Sequence, residues 1–317
     1  METASEILHK YIGLFGSLHR NRNPKYGYAP HKPILLLTML NGIEKGDISR
    51  NFIPLTLELV ATFRTYWRAL VPENTWSEKI ALPFRFMVYE GFWELVKNGV
   101  AVPVQKLGAR PTLQQLTTEV DGAVLAPDLW NLLQEPSSLS VLRAHILHIY
   151  FGVGGGDAPQ LPATPVDYEV ERLKAEAQSK FRTGRVSESK DEAGYYVRHA
   201  LFPRVVKQLY NHSCAVCSLC VHTDEGNSLI DAAHIMPFSQ FHNDDPRNGI
   251  ALCKNHHWGF DAGWFALSNE YKVLVSPHLQ ESSGYLKQGG FIRLPEETQY
   301  APAQETLEWH RLNIYKR

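Results

Sequence analysis

Two stretches decide the fold: CAVC at residues 214–217, and LIDAAHIMPFSQFHNDDPRNGIALCKNHHWGFDAG at residues 229–263. Cys214 and Cys217 make a Cys-x2-Cys knuckle, and Cys253 with His256 makes a Cys-x2-His knuckle further along. Three thiolates and one imidazole at these spacings complete a tetrahedron around Zn2+. The spacing predicts a closed structural zinc site that takes His256 and leaves His257 over. Cys220 extends the first knuckle, and we read it as a partly buried thiol outside the site. His234, Asn248 and His257 lie interleaved with the ligands, and zinc alone does not explain them. A non-catalytic zinc-containing DNA-binding module would need only the first four residues.

The segments Ala232-Ala233-His234-Ile235, Asn248-Gly249-Ile250-Ala251-Leu252-Cys253, His256-His257-Trp258 and Phe260-Asp261-Ala262-Gly263 follow in that order. With FPRVVKQLYNHSCAVC before them and TLEWHRLNIY near the C-terminus, they resemble the HNH nucleases over roughly residues 195–317. In that family a β-hairpin and a helix grip one divalent cation, the ββα-metal fold. The resemblance implies phosphodiester hydrolysis, which needs a nucleophile at neutral pH and a group to absorb charge on the phosphate. His234 ends the apolar-alternating run from Leu229 and would take a proton from water, a task that an ordinary pKa of about 6.5 suits. Asn248 would pin backbone groups and orient that base. His257 and Asp261, one helical turn apart, would hold Mg2+ or Mn2+. Many members carry a metal-binding Asp directly before the base, where this chain has Ala233. Asp231, on the same strand face, is expected to replace it. His242, Asp244 and Asp245 read as a polar loop, because Asp-Asp-Pro is turn chemistry.

A chain of 317 residues is long enough for two cores, and 44% hydrophobic with 21% charged residues is an ordinary globular composition. No apolar run is long enough to span a bilayer, and METASEILHKYIG lacks the basic and apolar blocks of a secretory signal. All four cysteines fall in the proposed metal domain, which suits zinc in a reducing compartment, so a cytoplasmic protein is expected. The net charge of −1 hides a local asymmetry. From Ile7 to Ile43 there is no acidic residue, while Lys10, Arg20, Arg22, Lys25 and Lys32 are present. Such a stretch can neutralise phosphates even in a neutral chain.

The expected architecture is α+β, with a mainly helical N-terminal DNA-recognition domain (1–150), a linker (151–167) and a zinc-stapled ββα nuclease domain (168–317). GVGGGDAPQLPATP at 152–165 marks the linker by its glycines and prolines. Helices are expected in SEILHKYIGLFGSL, HKPILLLTMLNGIEKG, LTLELVATFRTYWRAL, VDYEVERLKAEAQSKF and YYVRHALFPRVVKQLY. RNRNPKYGYAP and RTGRVSESKDEAG read as loops, and ALPFRFMV as strand-like.

Pro30-His31-Lys32-Pro33-Ile34-Leu35-Leu36-Leu37, with Leu82-Pro83-Phe84 and Gly91-Phe92-Trp93 downstream, carries a second resemblance. It is similar to the sulfur-binding domain that precedes an HNH domain in phosphorothioate-dependent type IV restriction enzymes. There an apolar pocket, with a proline after an aromatic, receives the sulfur, and a basic rim holds neighbouring phosphates. Leu82 stands where the aromatic is common. The resemblance implies that Leu82, Pro83 and Phe84 form the pocket, with His31 and Lys32 beside the modified phosphate and Arg22 and Lys25 along the DNA. The competing readings are ordinary core for Pro83 and Phe84, a helix-start residue for His31 and a solvent-facing charge for Lys32. The expected function is a modification-dependent endonuclease on double-stranded DNA, cutting both strands as a homodimer or by paired binding events. The alternatives are a phage-defence nuclease acting on another modified base, unmodified DNA or RNA, and a silent DNA-binding module.

Overall fold

The structure, a computed structural model, describes residues 3–108, 111–154, 159, 164–179, 192–221, 223, 228–280 and 283–317. The chain divides into two units, residues 1–168 with 188–197, and residues 169–187 with 198–317. The expected linker at 152–165 and polar loop at 182–194 fall largely outside the described residues.

The first unit begins with α1 (Ala4–Gly16), entered through a reciprocal capping box between Thr3 and Glu6. A short hairpin, β1 (Arg22–Asn23) and β2 (Gly27–Tyr28), occupies the segment expected as loop. Next, α2 (His31–Glu44) carries Pro33 in its first turn, where a missing N–H leaves nothing unpaired. It is buried continuously from Lys32 to Gly42. A helix buried on every side sits at the centre of its unit, and α3 (Leu57–Leu70) packs on it. Leu36, Leu37, Phe63 and Phe84 expose no surface, and such burial contributes about 1.5–3 kcal/mol per side chain.

ALPFRFMV is not a strand. It forms α4 (Ala81–Phe86) and a 3-10 turn (Met87–Glu90). Short apolar runs fit either period; here Ala81, Phe84 and Met87 are buried at helical spacing and Pro83 falls in the first turn. The strands are β3 (Ile53–Pro54), β4 (Trp93–Lys97), β5 (Val100–Ala101) and β6 (Gly122–Leu125), antiparallel in the order β3-β6-β4-β5. Helices α5 (Leu113–Glu119), α6 (Pro127–Leu132) and α7 (Pro136–Phe151) follow, and α7 packs on α1 and α2. The expected helices α8 (Pro165–Ser179) and α9 (Glu192–Leu209) come next.

In the second unit β7 (Ile230–His234) pairs antiparallel with β8 (Gly249–Cys253), with α10 (Phe238–Phe241) between them in sequence. Cys253 is the N-cap of α11 (Lys254–Asp261), which completes a ββα unit. A second pair, β9 (Phe265–Leu267) and β10 (Val273–Val275), and α12 (Gln304–Asn313) follow. Two glycines mark close approaches. A Cβ on Gly249 would lie 2.5 Å from Val206 and 2.9 Å from Phe202, so α9 presses on the start of β8. At Gly263 (φ 74°) a Cβ would meet the Ile314 carbonyl at 2.1 Å, so the C-terminal segment crosses just beyond α11. The fold is thus mixed α and β, as the sequence implies. No helix among the described residues is long and apolar enough to cross a membrane.

Candidate active site and metal centre

Cys214, Cys217, Cys253 and His256 bring one ligand atom each within 4.8 Å of one another, and among the described residues no other such group forms. The first knuckle is shaped by Ser218 N–H donating to Cys214 O and Cys214 N–H to Leu219 O, both at 2.9 Å. Ala215 N–H donates to Ala251 O at 2.8 Å and ties the knuckle to β8. His256 lies one turn past Cys253, its Nδ1 3.1 Å from the Cys253 Sγ and 3.6 Å from the Cys214 Sγ. Its Nε2 donates to the Tyr285 carbonyl at 3.0 Å, and the Tyr285 ring stacks on it with centroids 4.5 Å apart. That bond fixes the tautomer that aims the Nδ1 lone pair at the sulfurs, the usual outer partner of a metal-bound imidazole. Desolvation and the neighbouring thiols push the Cys217 thiol up. The bare Cys217 thiol therefore resists ionising, and a divalent cation would supply the missing charge. The four residues could hold a structural metal ion, and a three-sulfur, one-nitrogen set suits Zn2+. Cys220 is exposed rather than partly buried, and lies outside this group.

His234 is the last residue of β7, paired with Gly249. Its ring lies flat on Phe202, with centroids 3.8 Å apart and planes 6° apart. Its Nε2 is 3.0 Å from Asp244 Oδ1, and His199 Nδ1 reaches the same oxygen at 3.7 Å. Burial alone would raise Asp244, but hydrogen bonds from His199 and His234 hold it below the ordinary carboxylate range. The sequence reads as a polar loop at Asp244, and nothing in the local pattern marks it as a partner of His234. Asn248 is fully buried. Its Oδ1 accepts from Met236 N–H at 2.9 Å, and its Nδ2 donates to Met236 O at 3.1 Å and Asn243 O at 3.0 Å. One amide thus clamps both ends of the loop between His234 and Asp244.

His257 stands between two carboxylates. Its Nδ1 is 3.3 Å from Asp231 Oδ2, and its Nε2 is 3.4 Å from Asp261 Oδ2. Asp231 and Asp261 therefore face opposite nitrogens of one ring and do not meet at a common point through it. Burial raises Asp261, against the lowering effect of His257 and His234. Lys254 Nζ sits 3.2 Å from Asp231 Oδ1.

In the N-terminal unit a cleft of about 770 Å³ is lined by His31, Lys32, Leu82 and Pro83. Arg20, Trp76, Lys79, Phe86 and Tyr89 line it as well, and no Asp or Glu does. Phe84 is not at the cleft; it is fully buried with its ring edge-on to Trp93, because neighbouring positions of a short helix face different ways. Arg22 and Lys25 are outside the lining, over the rings of Tyr28 and Tyr26. Lys32 is buried and ion-paired with Glu90, which also accepts from the His19 backbone N–H at 3.1 Å. Its charge is already engaged within the unit. His31 has its Nε2 2.9 Å from the Ser77 carbonyl and packs against Trp67 and Trp76. Burial pulls it down to about 4, with Ser77 opposing and Lys79 assisting, so it is neutral at neutral pH. Arg20 lies over the rings of Tyr150 and Tyr28, at 4.4 and 5.0 Å.

Residues 214–268 match the family model of the HNH endonucleases. Among solved structures it is similar to the modification-dependent TagI restriction endonuclease, with 26% identity and a TM-score of 0.31. That likeness covers 37% of this chain and 39% of the other, so the chain spans well under half of that relative. It is also similar to the type IV phosphorothioation-dependent restriction endonuclease ScoMcrA, with 12% identity, a TM-score of 0.34 and coverage of 78% and 93%. No curated protein matches the chain.

Proposed function

We propose that this chain is a modification-dependent DNA endonuclease, with its chemistry in the ββα unit and its recognition of phosphorothioated DNA in the N-terminal cleft. The observation that carries the nuclease reading is the convergence of His234, Asn248 and His257 on one strand–loop–helix frame. In this reading His234 is the general base that takes a proton from the attacking water. Asn248 holds the loop that frames it. His257 and Asp261 would hold Mg2+ or Mn2+, which when bound supplies positive charge to the phosphate and leaving oxygen. Asp231, on the far nitrogen of His257, orients that imidazole instead of acting as a third ligand. Cys214, Cys217, Cys253 and His256 would hold Zn2+, which when bound would staple the frame.

The sulfur reading rests on the sequence motif and on the lining of the cleft. Leu82, Pro83 and Phe86 offer an apolar wall, and His31 beside them is uncharged. A P–S group is less strongly hydrated than P–O, so a dry wall favours it. Arg20 and Lys79 are the cations on the lining whose charge is not paired with an acid among the described residues, and they would hold neighbouring phosphates. One observation favours a second reading. The cleft is far larger than a sulfur atom requires and has Trp76, Phe86 and Tyr89 on its walls, as a pocket for another modified base would.

Two measurements test these readings. Purified protein should nick plasmid DNA with Mg2+ or Mn2+ and stop with EDTA; no cutting under any metal would leave a silent zinc module. Binding to matched duplexes with and without a phosphorothioate should favour the sulfur-bearing one. Equal affinity across several sequence contexts, with a preference for a base-modified duplex, would transfer the cleft to the second reading.

A further inference from the structure

We propose that Asp244 is the positioning residue of His234, with His199 as the outer member of a His199–Asp244–His234 chain. This inference rests on the reading of His234 as the base. Three elements build the chain: α9 supplies His199 and Phe202, the end of β7 supplies His234, and the loop before β8 supplies Asp244. The Asp244 side chain is 5% exposed and its Oδ1 faces both imidazoles, at 3.0 Å from His234 Nε2 and 3.7 Å from His199 Nδ1. A buried carboxylate with that placement accepts a hydrogen bond from His234 Nε2–H. The opposite nitrogen, Nδ1, then carries the lone pair. Water gives its proton to Nδ1, Nε2 keeps its own, and the imidazolium that results faces an ionised carboxylate.

The ring has no freedom to turn away. Phe202 stacks flat beneath it, and Phe238, itself stacked on His199 with centroids 4.4 Å apart, stands 5.4 Å to the side. Asn248 joins the same device, because its bond to Asn243 O fixes the residue immediately before Asp244. His199, 55% exposed at its side chain, favours its charged form through its hydrogen bond to Asp244, and so keeps that carboxylate ionised. Gly249 is what lets Phe202 come close enough to serve as the platform.

The test is the imidazole tautomer of His234, read by 15N-edited NMR on the full-length zinc-loaded chain, together with cleavage of plasmid. The wild-type protein should show the Nε2–H form, and an Nδ1–H form there would overturn the proposal outright. Asp244→Asn should lose that preference and cut about a hundredfold more slowly, with an altered pH profile. Asp244→Glu should restore part of the rate. His199→Gln should cost severalfold and leave the tautomer unchanged. If Asp244→Asn folds, keeps the tautomer and cuts at the wild-type rate, Asp244 does not position the base. If His234→Ala still cuts normally, the catalytic reading itself fails, a different outcome with a different signature.

Discussion

Lys32 and Glu90 form an ion pair beneath the N-terminal cleft, with their side chains only 10% and 5% exposed. The chain's most suggestive cation for DNA is thus held by an internal carboxylate. Lys32→Ala should strand that carboxylate in a buried site, at a loss of about 3 kcal/mol to the N-terminal unit. The salt dependence of DNA binding should stay the same for the folded fraction. Calorimetric melting and fluorescence anisotropy across a salt series check both halves. A changed salt slope at unchanged stability would return Lys32 to the DNA.

Arg20 and Lys79 should behave in the opposite way. Each contacts phosphate in the proposed complex, so Arg20→Ala or Lys79→Ala should lower the slope of log K against log salt by about one. Affinity should fall for modified and unmodified duplexes alike, with melting temperature nearly unchanged. Pro83→Asp, which wets the apolar wall, should instead remove the preference between duplexes. A slope untouched by both alanine variants would move the DNA path elsewhere on the unit.

His234→Ala and Asn248→Ala should separate chemistry from architecture. The first removes the proposed base, so cleavage should fall about 10²–10⁴-fold with folding intact. The second leaves Met236 N–H, Met236 O and Asn243 O without their buried partner, so it should also destabilise the unit by about 2–4 kcal/mol. Cleavage assays paired with urea unfolding distinguish the two. An Asn248→Ala protein of normal stability would contradict the clamp.

Cys217→Ala should lower zinc content by elemental analysis and reduce the melting temperature of the second unit, since ligand binding there is folding free energy. Treatment of the wild-type protein with a strong chelator should do the same. Retained stoichiometry near one zinc per chain would point to exposed Cys220 as a substitute ligand.

Acid should weaken the second unit through His310. Its ring stacks on Phe260 and its Nε2 lies 3.1 Å from the Phe260 carbonyl, and burial pulls it down to about 4. The unfolded chain binds the proton near pH 6.5, so between about 6.5 and 4 it holds more protons than the folded form. Stability from this group is complete above pH 6.5 and is lost as pH falls toward 4, on the order of 3 kcal/mol in all. Urea unfolding at pH 7.5 and 4.5 should show a smaller difference for His310→Gln than for wild type. Equal differences would exclude His310 as the source.

The Cys3His cluster and the ββα unit were legible because metal ligation is written in short spacings that survive without tertiary context. Cys214, Cys217, Cys253 and His256 meet where their knuckles predict. Side-chain pairing is another matter. Asp231 does reach His257, but which imidazole nitrogen it meets depends on the angle between strand and helix, which no spacing encodes. Glu90 as the partner of Lys32, and Asp244 as the partner of His234, arise only when distant segments pack. The misread ALPFRFMV shows the limit of periodicity over one or two turns: Phe84 and Phe86 look equivalent in sequence, yet one is core and the other lines the cleft.

His256 and His257 are consecutive residues of α11 with separate employments, one among the three thiols and one between Asp231 and Asp261. Successive side chains on a helix point about 100° apart, so the angular phase of this one short helix decides which imidazole faces the thiols and which faces the carboxylates. A rotation by a single position would exchange them. A metal ion held by Cys253 and by His256 three residues later would act as an indexing pin for that rotation, setting the compass bearing of the neighbouring histidine without touching it.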